Sequence, residues 1–290
     1  MFVYHFAWDL KFYGFTGLDP SIDPAWRIAS HAIASAFLFI AGFSLVVAQA
    51  RAVPAISQVR RLAVVGLAAA VISLATWIAF PDAFIFAGIL HCIFATCVIG
   101  LALTRAPSAL IAVFAAAAFA APVHFASHEF DGPALWWLGL NEGNPRTLDY
   151  RPLLPWLGVT LTGLLAGRLA RHFDPAFAFL RWRAPSRPAQ ALALGGRHSL
   201  LVYLGHQPLF LAALFIAAKI ISPQSFSPQC FVSACQAQCI KAGAAAERCE
   251  EACACVVDGL KASNLWRDTL ANQLDDAGRR RMSLIASQCR

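Results

Sequence analysis

Residues 28–50, IASHAIASAFLFIAGFSLVVAQA, hold no aspartate, glutamate, lysine or arginine. A helix needs about 20 mostly apolar residues to cross a hydrocarbon core of about 30 Å. Comparable runs recur along the chain at 62–80, 83–104, 107–126, 152–170 and 199–221. The 290 residues are 59% hydrophobic and 13% charged, which predicts an all-α, polytopic membrane helix bundle.

The first residues predict one more membrane helix. Residues 1–15 resemble the outer part of a span that would be about ten residues short of a full crossing. No positively charged stretch precedes an apolar one there, so we expect no cleaved signal peptide. The sequence therefore predicts about seven spans, with the first one truncated.

Connections rich in arginine alternate along the chain with connections that carry little positive charge. They concentrate in three connections: Arg51, Arg60 and Arg61; Arg105; and Arg168, Arg171, Arg181, Arg183, Arg187 and Arg197. By the positive-inside rule these connections are cytoplasmic. This predicts a multi-pass protein of a plasma membrane, with its first helix running outward and residues 222–290 outside. The membrane topology then explains the net charge of +7, and we expect no nucleic-acid partner.

Residues 222–290 are rich in cysteine and predict a separate extracytoplasmic tail. Cys235 and Cys239 form one C-x3-C pair, and Cys249 and Cys253 form another. This spacing puts both thiols of a pair on one helix face, so two short antiparallel helices could be joined by two disulfides. A helix over 256–288 would follow.

A third disulfide could join Cys230 to Cys255, which would leave Cys289 unpaired. Disulfides persist outside the cytoplasm, in agreement with the side that the arginines assign to this tail. The alternative is a thiolate metal site. It is disfavoured because the tail contains no histidine and an oxidising compartment disfavours free thiolates, so we expect no metal.

Ionisable side chains occur inside the apolar segments. His5 and Asp9 are one helical turn apart, so the carboxylate could hold the imidazole in one tautomer. His31, His91 and His206 fall within other predicted spans. Ionisable groups at bilayer depth usually face the bundle interior and mark a functional site, which predicts one polar, water-accessible pocket. The alternative is a set of polar contacts between helices.

The connection 125–151 is long and polar. Tryptophans beside carboxylates and amides suit a saccharide, through stacking and hydrogen bonds to hydroxyls. An aromatic belt at the membrane boundary would explain the tryptophans equally well. The candidate acceptor-binding residues are His128, Glu129, Trp136, Trp137 and Asp149.

Five short motifs follow one another along the chain: Tyr4–Leu10 (YHFAWDL), Phe37–Ser44 (FLFIAGFS), Gly88–His91 (GILH), Asp149–Gly158 (DYRPLLPWLG) and Gly196–Pro208 (GRHSLLVYLGHQP). This succession resembles the bacterial branch of the heparan-alpha-glucosaminide N-acetyltransferase catalytic-domain family. The resemblance covers residues 1 to about 221. The cysteine tail lies outside it.

The resemblance implies transfer of an acetyl group from cytosolic acetyl-CoA, across the membrane, to a glucosamine amine. A histidine would act as general base or acyl carrier. His5 and His31 are the candidates, with Asp9 orienting His5. The expected pocket residues are His91, Tyr203, His206 and Gln207. A bacterium need not contain heparan sulfate, so the expected acceptor is an envelope saccharide.

The resemblance also asks for a cytosolic cationic region that holds the phosphates of acetyl-CoA. Arg60, Arg61 and Arg197 are the candidates. The positive-inside rule alone would also explain these arginines.

Two other functions remain open. The same histidines could form the proton relay of a small-solute transporter. Alternatively, a non-catalytic membrane domain, residues 1–221, could present the tail, residues 222–290, to an extracytoplasmic protein partner. In each case the surrounding lipid is the other partner.

Overall fold

The structure is a computed structural model that describes residues 1–16, 20, 23–143, 145–174, 177, 185–221, 228–270 and 274–289. Within these residues the protein is all-helical and no β-strand occurs. The helices are α1 (Phe2–Phe12), α2 (Pro24–Ala50), α3 (Ala55–Ala79), α4 (Ile89–Leu103), α5 (Ser108–Phe125), α6 (Leu153–Phe173), α7 (Arg187–Arg197), α8 (Ser199–Ile221), α9 (Pro228–Lys241), α10 (Ala246–Ala262), α11 (Trp266–Leu270) and α12 (Asp276–Gln288).

Five of these helices are long and apolar enough to cross a membrane, namely α2, α3, α5, α6 and α8. The predicted class, an all-α polytopic membrane protein, is thereby confirmed. The expected number of about seven spans is approximate, because it includes α1, with 11 residues, and α4, with 15 residues. At 1.5 Å per residue α4 is about 22 Å long, which is shorter than a hydrocarbon core of about 30 Å.

Helix α4 begins later than the predicted span 83–104. The residues between Ala83 and Ile89 are not helical, and backbone hydrogen bonds join this stretch to a distant segment. The Leu148 N–H donates to the carbonyl of Ala83 (3.0 Å), and the Arg151 N–H donates to the carbonyl of Ala87 (2.7 Å). These bonds occupy carbonyls that a longer helix would need.

Contacts divide the chain into two compact units. Unit 1 contains residues 1–27 and 206–290, and unit 2 contains residues 28–205. The predicted division into residues 1–221 and 222–290 stays a prediction.

In unit 2, helices α2 and α6 cross with their backbones in contact. A Cβ atom on Gly42 of α2 would overlap the carbonyl oxygen of Thr160, and one on Gly163 of α6 would overlap the carbonyl oxygen of Phe39. Small residues permit such close approach in membrane helices, where dispersion contacts drive association. The absence of a Cβ atom at both positions therefore permits the backbones to approach this closely.

The largest buried cluster of unit 2 surrounds the same crossing. Its members are Leu45, Val46, Ile111, Ala115, Leu161, Leu164 and Phe177. Beside it, Arg168 of α6 donates to the Ser108 hydroxyl and to the Thr104 carbonyl, both at 2.9 Å. One arginine of the predicted cytoplasmic set thus joins α6 to the end of α4 and the start of α5.

In unit 1, two disulfides join α9 to α10. Cys235 pairs with Cys253, and Cys239 pairs with Cys249. Cys249 and Cys253 are fully buried, so the two bonds lie in the interior of the helical hairpin. The expected disulfide-joined helical tail is confirmed.

The third disulfide corrects the sequence prediction. Cys255 pairs with Cys289, so the expected Cys230–Cys255 pair and an unpaired Cys289 are wrong. The expected single helix over 256–288 is wrong as well. Helix α10 ends at Ala262, and Asn264 follows with a left-handed φ of 56°. The turn lets α12 return to α10, where Ile285 packs against Gly259 and Cys289 reaches Cys255.

Candidate functional site

The motif that begins at Asp149 is attached to the start of α4 in unit 2. The Oδ2 atom of Asp149 accepts a hydrogen bond from the Ile89 N–H at 2.8 Å. This bond satisfies one of the free N–H groups in the first turn of α4. Burial raises the pKa of Asp149, while Arg151, this N–H and His91 act to lower it. The carboxylate thus caps a helix that lies 60 residues away in the sequence.

Arg151 attaches the same segment to α2. Its guanidinium donates to the Ser30 hydroxyl and to the Tyr150 carbonyl (2.8 Å). It also lies over the ring of Trp156, 5.4 Å from the ring centroid. His31 stacks on that indole with 5.7 Å between centroids and 12° between planes. An arginine, a tryptophan and a histidine therefore form one contiguous group.

His91 lies in the first turn of α4 and is half-buried. Its Nε2 atom is 3.0 Å from the hydroxyl oxygen of Ser73 on α3. The same hydroxyl is 2.6 Å from the Ile85 carbonyl oxygen. Tyr203, at the start of α8, packs against a cluster that contains Leu90, the neighbour of His91.

Unit 2 thus brings together four predicted site residues from separate parts of the chain, His31, His91, Asp149 and Tyr203. We refer to these four with Ser30, Ser73, Arg151 and Trp156 as the unit 2 polar group. The last four were missed as site residues. A signal for Arg151 was present, since it is an arginine in a connection that the charge pattern marks as poor in positive charge.

The long connection contains an exposed charged cluster. His128 Nδ1 lies 2.8 Å from Asp131 Oδ2, and His128 Nε2 lies 3.0 Å from Glu142 Oε2. The hydrogen bond to Asp131, followed by the charge of Glu142, raises the pKa of His128. A Gly143 N–H bond and the bond to His128 lower the pKa of Asp131. Both nitrogens of this imidazole therefore contact carboxylates of the same connection. The neighbouring Glu129 is exposed.

The two tryptophans of the connection differ in their surroundings. Trp136 is half-buried, donates its indole N–H to the Asp131 carbonyl at 2.7 Å and packs on Phe86. Trp137 is 49% exposed and presents an open apolar face. Of the two tryptophans expected to stack on a saccharide, only Trp137 has an exposed ring. The acceptor-binding role of both stays a prediction.

Unit 1 contains a second polar group, formed by α1 and α8. The rings of His5 and His206 pack edge to face, with 4.9 Å between centroids, and Phe2 packs on His206 at 5.1 Å. Asp9 is fully buried, and its Oδ1 accepts a hydrogen bond from the Gln207 amide at 2.7 Å. We refer to His5, Asp9, His206 and Gln207 as the unit 1 polar group.

The expected hydrogen bond between Asp9 and His5 is not the one that forms. Both side chains lie on one face of α1, but the carboxylate bonds Gln207 and the His5 ring turns toward His206. Two buried acceptors, Asp9 Oδ2 and Gln207 Oε1, have no hydrogen-bond partner among the residues that the structure describes. A direct hydrogen bond between these two oxygens would require a proton on Asp9, because each is otherwise only an acceptor.

We expect Asp9→Asn to preserve the fold and Asp9→Ala to destabilise it. An asparagine amide can accept from Gln207 and donate to its oxygen, whereas alanine leaves the buried amide without a partner. Such a loss costs about 1–3 kcal/mol. Thermal unfolding of the purified protein in detergent measures the difference.

The double variant Asp9→Ala/Gln207→Leu is the control, because it removes both partners at once. It should be more stable than Asp9→Ala alone. Equal stability of Asp9→Asn and Asp9→Ala would contradict the buried acid–amide pair.

The arginines assigned to phosphate binding, Arg60, Arg61 and Arg197, are exposed side chains of α3 and α7. Their role stays a prediction. Within the described ranges, no group of three or more histidine, cysteine, aspartate or glutamate side chains could hold a metal ion.

Comparison with known proteins identifies a family. No curated protein and no solved structure matches the chain. The family described as heparan-alpha-glucosaminide N-acetyltransferase, catalytic, matches residues 1–208, a region that contains every residue of both polar groups. Because this match covers well over half of the 290 residues, the chain belongs to the heparan-alpha-glucosaminide N-acetyltransferase catalytic-domain family.

Proposed function

We propose that this protein is a membrane-embedded acyltransferase that moves an acetyl or related acyl group from cytosolic acyl-CoA to an extracytoplasmic saccharide. Family membership makes it an acyltransferase-like enzyme in general terms. The donor, the acceptor and the direction of transfer are the parts that we propose.

One observation carries the acceptor side of the proposal. The segment from Asp149 to Arg151 fastens the long connection to two helices that bear histidines, α4 with His91 and α2 with His31. The aromatic face of Trp156 lies against Arg151, and the same long connection carries the exposed ring of Trp137. Apolar stacking with nearby charged and hydroxyl groups is the combination that suits a saccharide.

The reaction needs a histidine as base or acyl carrier, because an amine or hydroxyl must lose a proton as it attacks a thioester. We assign this role to His5 or His31. The close contact of His5 with His206 supports the former, and the stacking of His31 on Trp156 supports the latter.

The donor side of the proposal rests on charge. The CoA moiety carries phosphates, which arginine side chains bind through charge-assisted hydrogen bonds. Arg60, Arg61 and Arg197 belong to connections that the positive-inside rule assigns to the cytoplasm. Their exposure leaves the guanidinium groups accessible to a phosphate. The cysteine tail would then lie on the acceptor side, in the oxidising compartment outside a bacterial inner membrane.

The test supplies radiolabelled acetyl-CoA to the cytosolic face of inverted membrane vesicles that contain or lack the protein. We expect protein-dependent label on lumenal glycan or on the protein itself. His5→Ala and His31→Ala are compared at equal expression, with exposed His124→Ala as a matched control. Loss of label in one of the first two variants identifies the histidine. Absence of label with the wild-type protein would refute the function.

A proton-coupled transporter is the second candidate, and the unit 1 polar group favours it. This group combines a fully buried carboxylate with a pair of packed histidines, and ionisable groups of this kind occur in proton pathways of membrane proteins. Proton or sugar flux in vesicles without any acyl donor, abolished by Asp9→Asn, would support this function. If flux is absent while acyl transfer is present, the transporter is excluded.

A further inference from the structure

Two oxygen–heteroatom distances determine which nitrogen of His91 carries a hydrogen. The Ser73 hydroxyl has a single proton, and a carbonyl oxygen can only accept. The 2.6 Å contact between Ser73 Oγ and the Ile85 carbonyl therefore uses that proton. Toward His91 the hydroxyl can only accept, so the Nε2 atom, 3.0 Å away, must donate. In the neutral imidazole the lone pair is then on Nδ1.

The surrounding backbone fixes this arrangement. Ile85 precedes α4 in a non-helical segment, and α3 satisfies both of its backbone polar groups. Its carbonyl accepts from Ser73, and its N–H donates to the Thr76 hydroxyl oxygen at 3.0 Å. The Thr76 hydroxyl in turn donates to the Ile72 carbonyl at 2.7 Å. Ser73 therefore has one stable orientation, and so does the hydrogen bond that it accepts from His91.

The other nitrogen of the imidazole, Nδ1, is left to accept a proton. Nδ1 of His91 makes no hydrogen bond to any residue that the structure describes, and the ring is only half-buried. Asp149, which bonds the backbone of Ile89, interacts electrostatically with His91. A negative charge at this position stabilises the imidazolium that forms when Nδ1 takes up a proton.

We propose that His91 is the general base of acyl transfer, accepting a proton at Nδ1, and that Ser73 is the positioning residue that fixes its tautomer. The inference rests on the proposed acyltransferase function. It takes the role of base away from His5 and His31, and it describes direct transfer from the thioester to the acceptor without an acyl carrier.

With an amine acceptor, one N–H bond and one C–S bond break and one C–N bond forms. The amine nitrogen forms a bond to the acyl carbon, and its N–H proton passes to Nδ1 of His91. The thioester C–S bond breaks, and its electron pair leaves with the sulfur as the CoA thiolate. The imidazolium then releases its proton to water, and the thiolate takes a proton from water.

Replacement of His91 by glutamine separates the base from the structural donor. The glutamine amide can donate to Ser73 in place of Nε2, but it carries no basic nitrogen at the position of Nδ1. The full chain in detergent is assayed by release of CoA thiol, with acetyl-CoA as donor and glucosamine as the amine probe. We expect kcat to fall by about 10²–10⁴-fold, which is the usual contribution of a general base, with an unchanged KM for acetyl-CoA.

The Ser73 variants test the positioning role. Ser73→Ala should lower kcat about fivefold, the equivalent of one hydrogen bond, because either tautomer of His91 then becomes available. Its KM for glucosamine should not change. Ser73→Thr restores the hydroxyl and should restore kcat. A purely structural role would not give this recovery with constant KM.

The outcomes distinguish this inference from the proposed function. If the wild-type chain releases no CoA with any acceptor, the acyltransferase function itself fails. If the wild type is active and folded His91→Gln retains near-normal kcat, only the base assignment is overturned. If His91→Gln does not fold, the Ser73 pair decides. Equal kcat for the wild type and both Ser73 variants would refute the tautomer argument.

Discussion

We expect Gly163→Ala to be strongly destabilising although alanine is the better helix former. The added methyl group would overlap the carbonyl oxygen of Phe39 on α2, and a backbone atom cannot move aside as a flexible side chain can. Overpacking of a buried contact typically costs about 1–3 kcal/mol, and a rigid backbone contact belongs at or above the upper end of this range. Thermal unfolding in detergent and the yield of monodisperse protein measure the loss.

Gly195→Ala is the matched control for this experiment. Gly195 lies in α7, and no atom of the residues that the structure describes lies within 4 Å of the position that its Cβ would occupy. Here only helix propensity operates, and alanine is favoured over glycine by up to about 1 kcal/mol. The two identical substitutions should therefore shift stability in opposite directions. A neutral Gly163→Ala would mean that α2 and α6 do not touch at this point.

Removal of the Cys255–Cys289 disulfide should destabilise the tail more than removal of either of the other two disulfides. These residues are 34 apart in sequence, against 18 for Cys235–Cys253 and 10 for Cys239–Cys249. Chain-entropy arguments give about 3.8 kcal/mol for the longest loop and about 2.7 kcal/mol for the shortest. Amide hydrogen exchange of α12 peptides in Cys255→Ala/Cys289→Ala measures the loss of protection.

The double variant Cys92→Ala/Cys97→Ala provides the control, since these thiols are free and lie in α4 of the other unit. It should leave exchange in α12 unchanged. Peptide mapping without reductant reports the connectivity directly. Recovery of Cys255 linked to Cys230 would contradict the structure and restore the pairing expected from the sequence.

The membrane helices could be predicted because apolar length alone determines them. Residues 28–50 and 199–221 are predominantly apolar over the length of a bilayer crossing, and both are helical. The start of α4 could not be predicted in the same way. It depends on Asp149, which supplies a helix cap from 60 residues away, and hydropathy carries no signal of such a bond.

The candidate site was predicted as a set of residue types and not as a set of contacts. Ionisable groups in apolar segments identified His5, His31 and His91, because their burial is costly wherever they lie. Their partners depend on tertiary packing. Helical spacing predicted Asp9 as the partner of His5, but Gln207 of another helix competes for the carboxylate. Ser73 could not be identified, since one serine in an apolar helix resembles any other.

The cysteine pairings illustrate the same limit. Within α9 and α10 the repeated C-x3-C spacing determines which thiols can meet across two antiparallel helices. No comparable local rule applies to Cys255, whose partner depends on the turn at Asn264 and on how α12 packs. The nearer cysteine in sequence, Cys230, was therefore the wrong choice.

The link between Cys255 and Cys289 also determines what happens when a protease cuts the tail. Lys261 and Arg281 lie between the two linked residues, so cleavage at either site leaves both fragments covalently attached. Under non-reducing conditions the nicked chain would migrate as a single species, and the C-terminal fragment would separate only after reduction. A protein whose tail is exposed to degradative enzymes can in this way be cut once and still keep all of its parts.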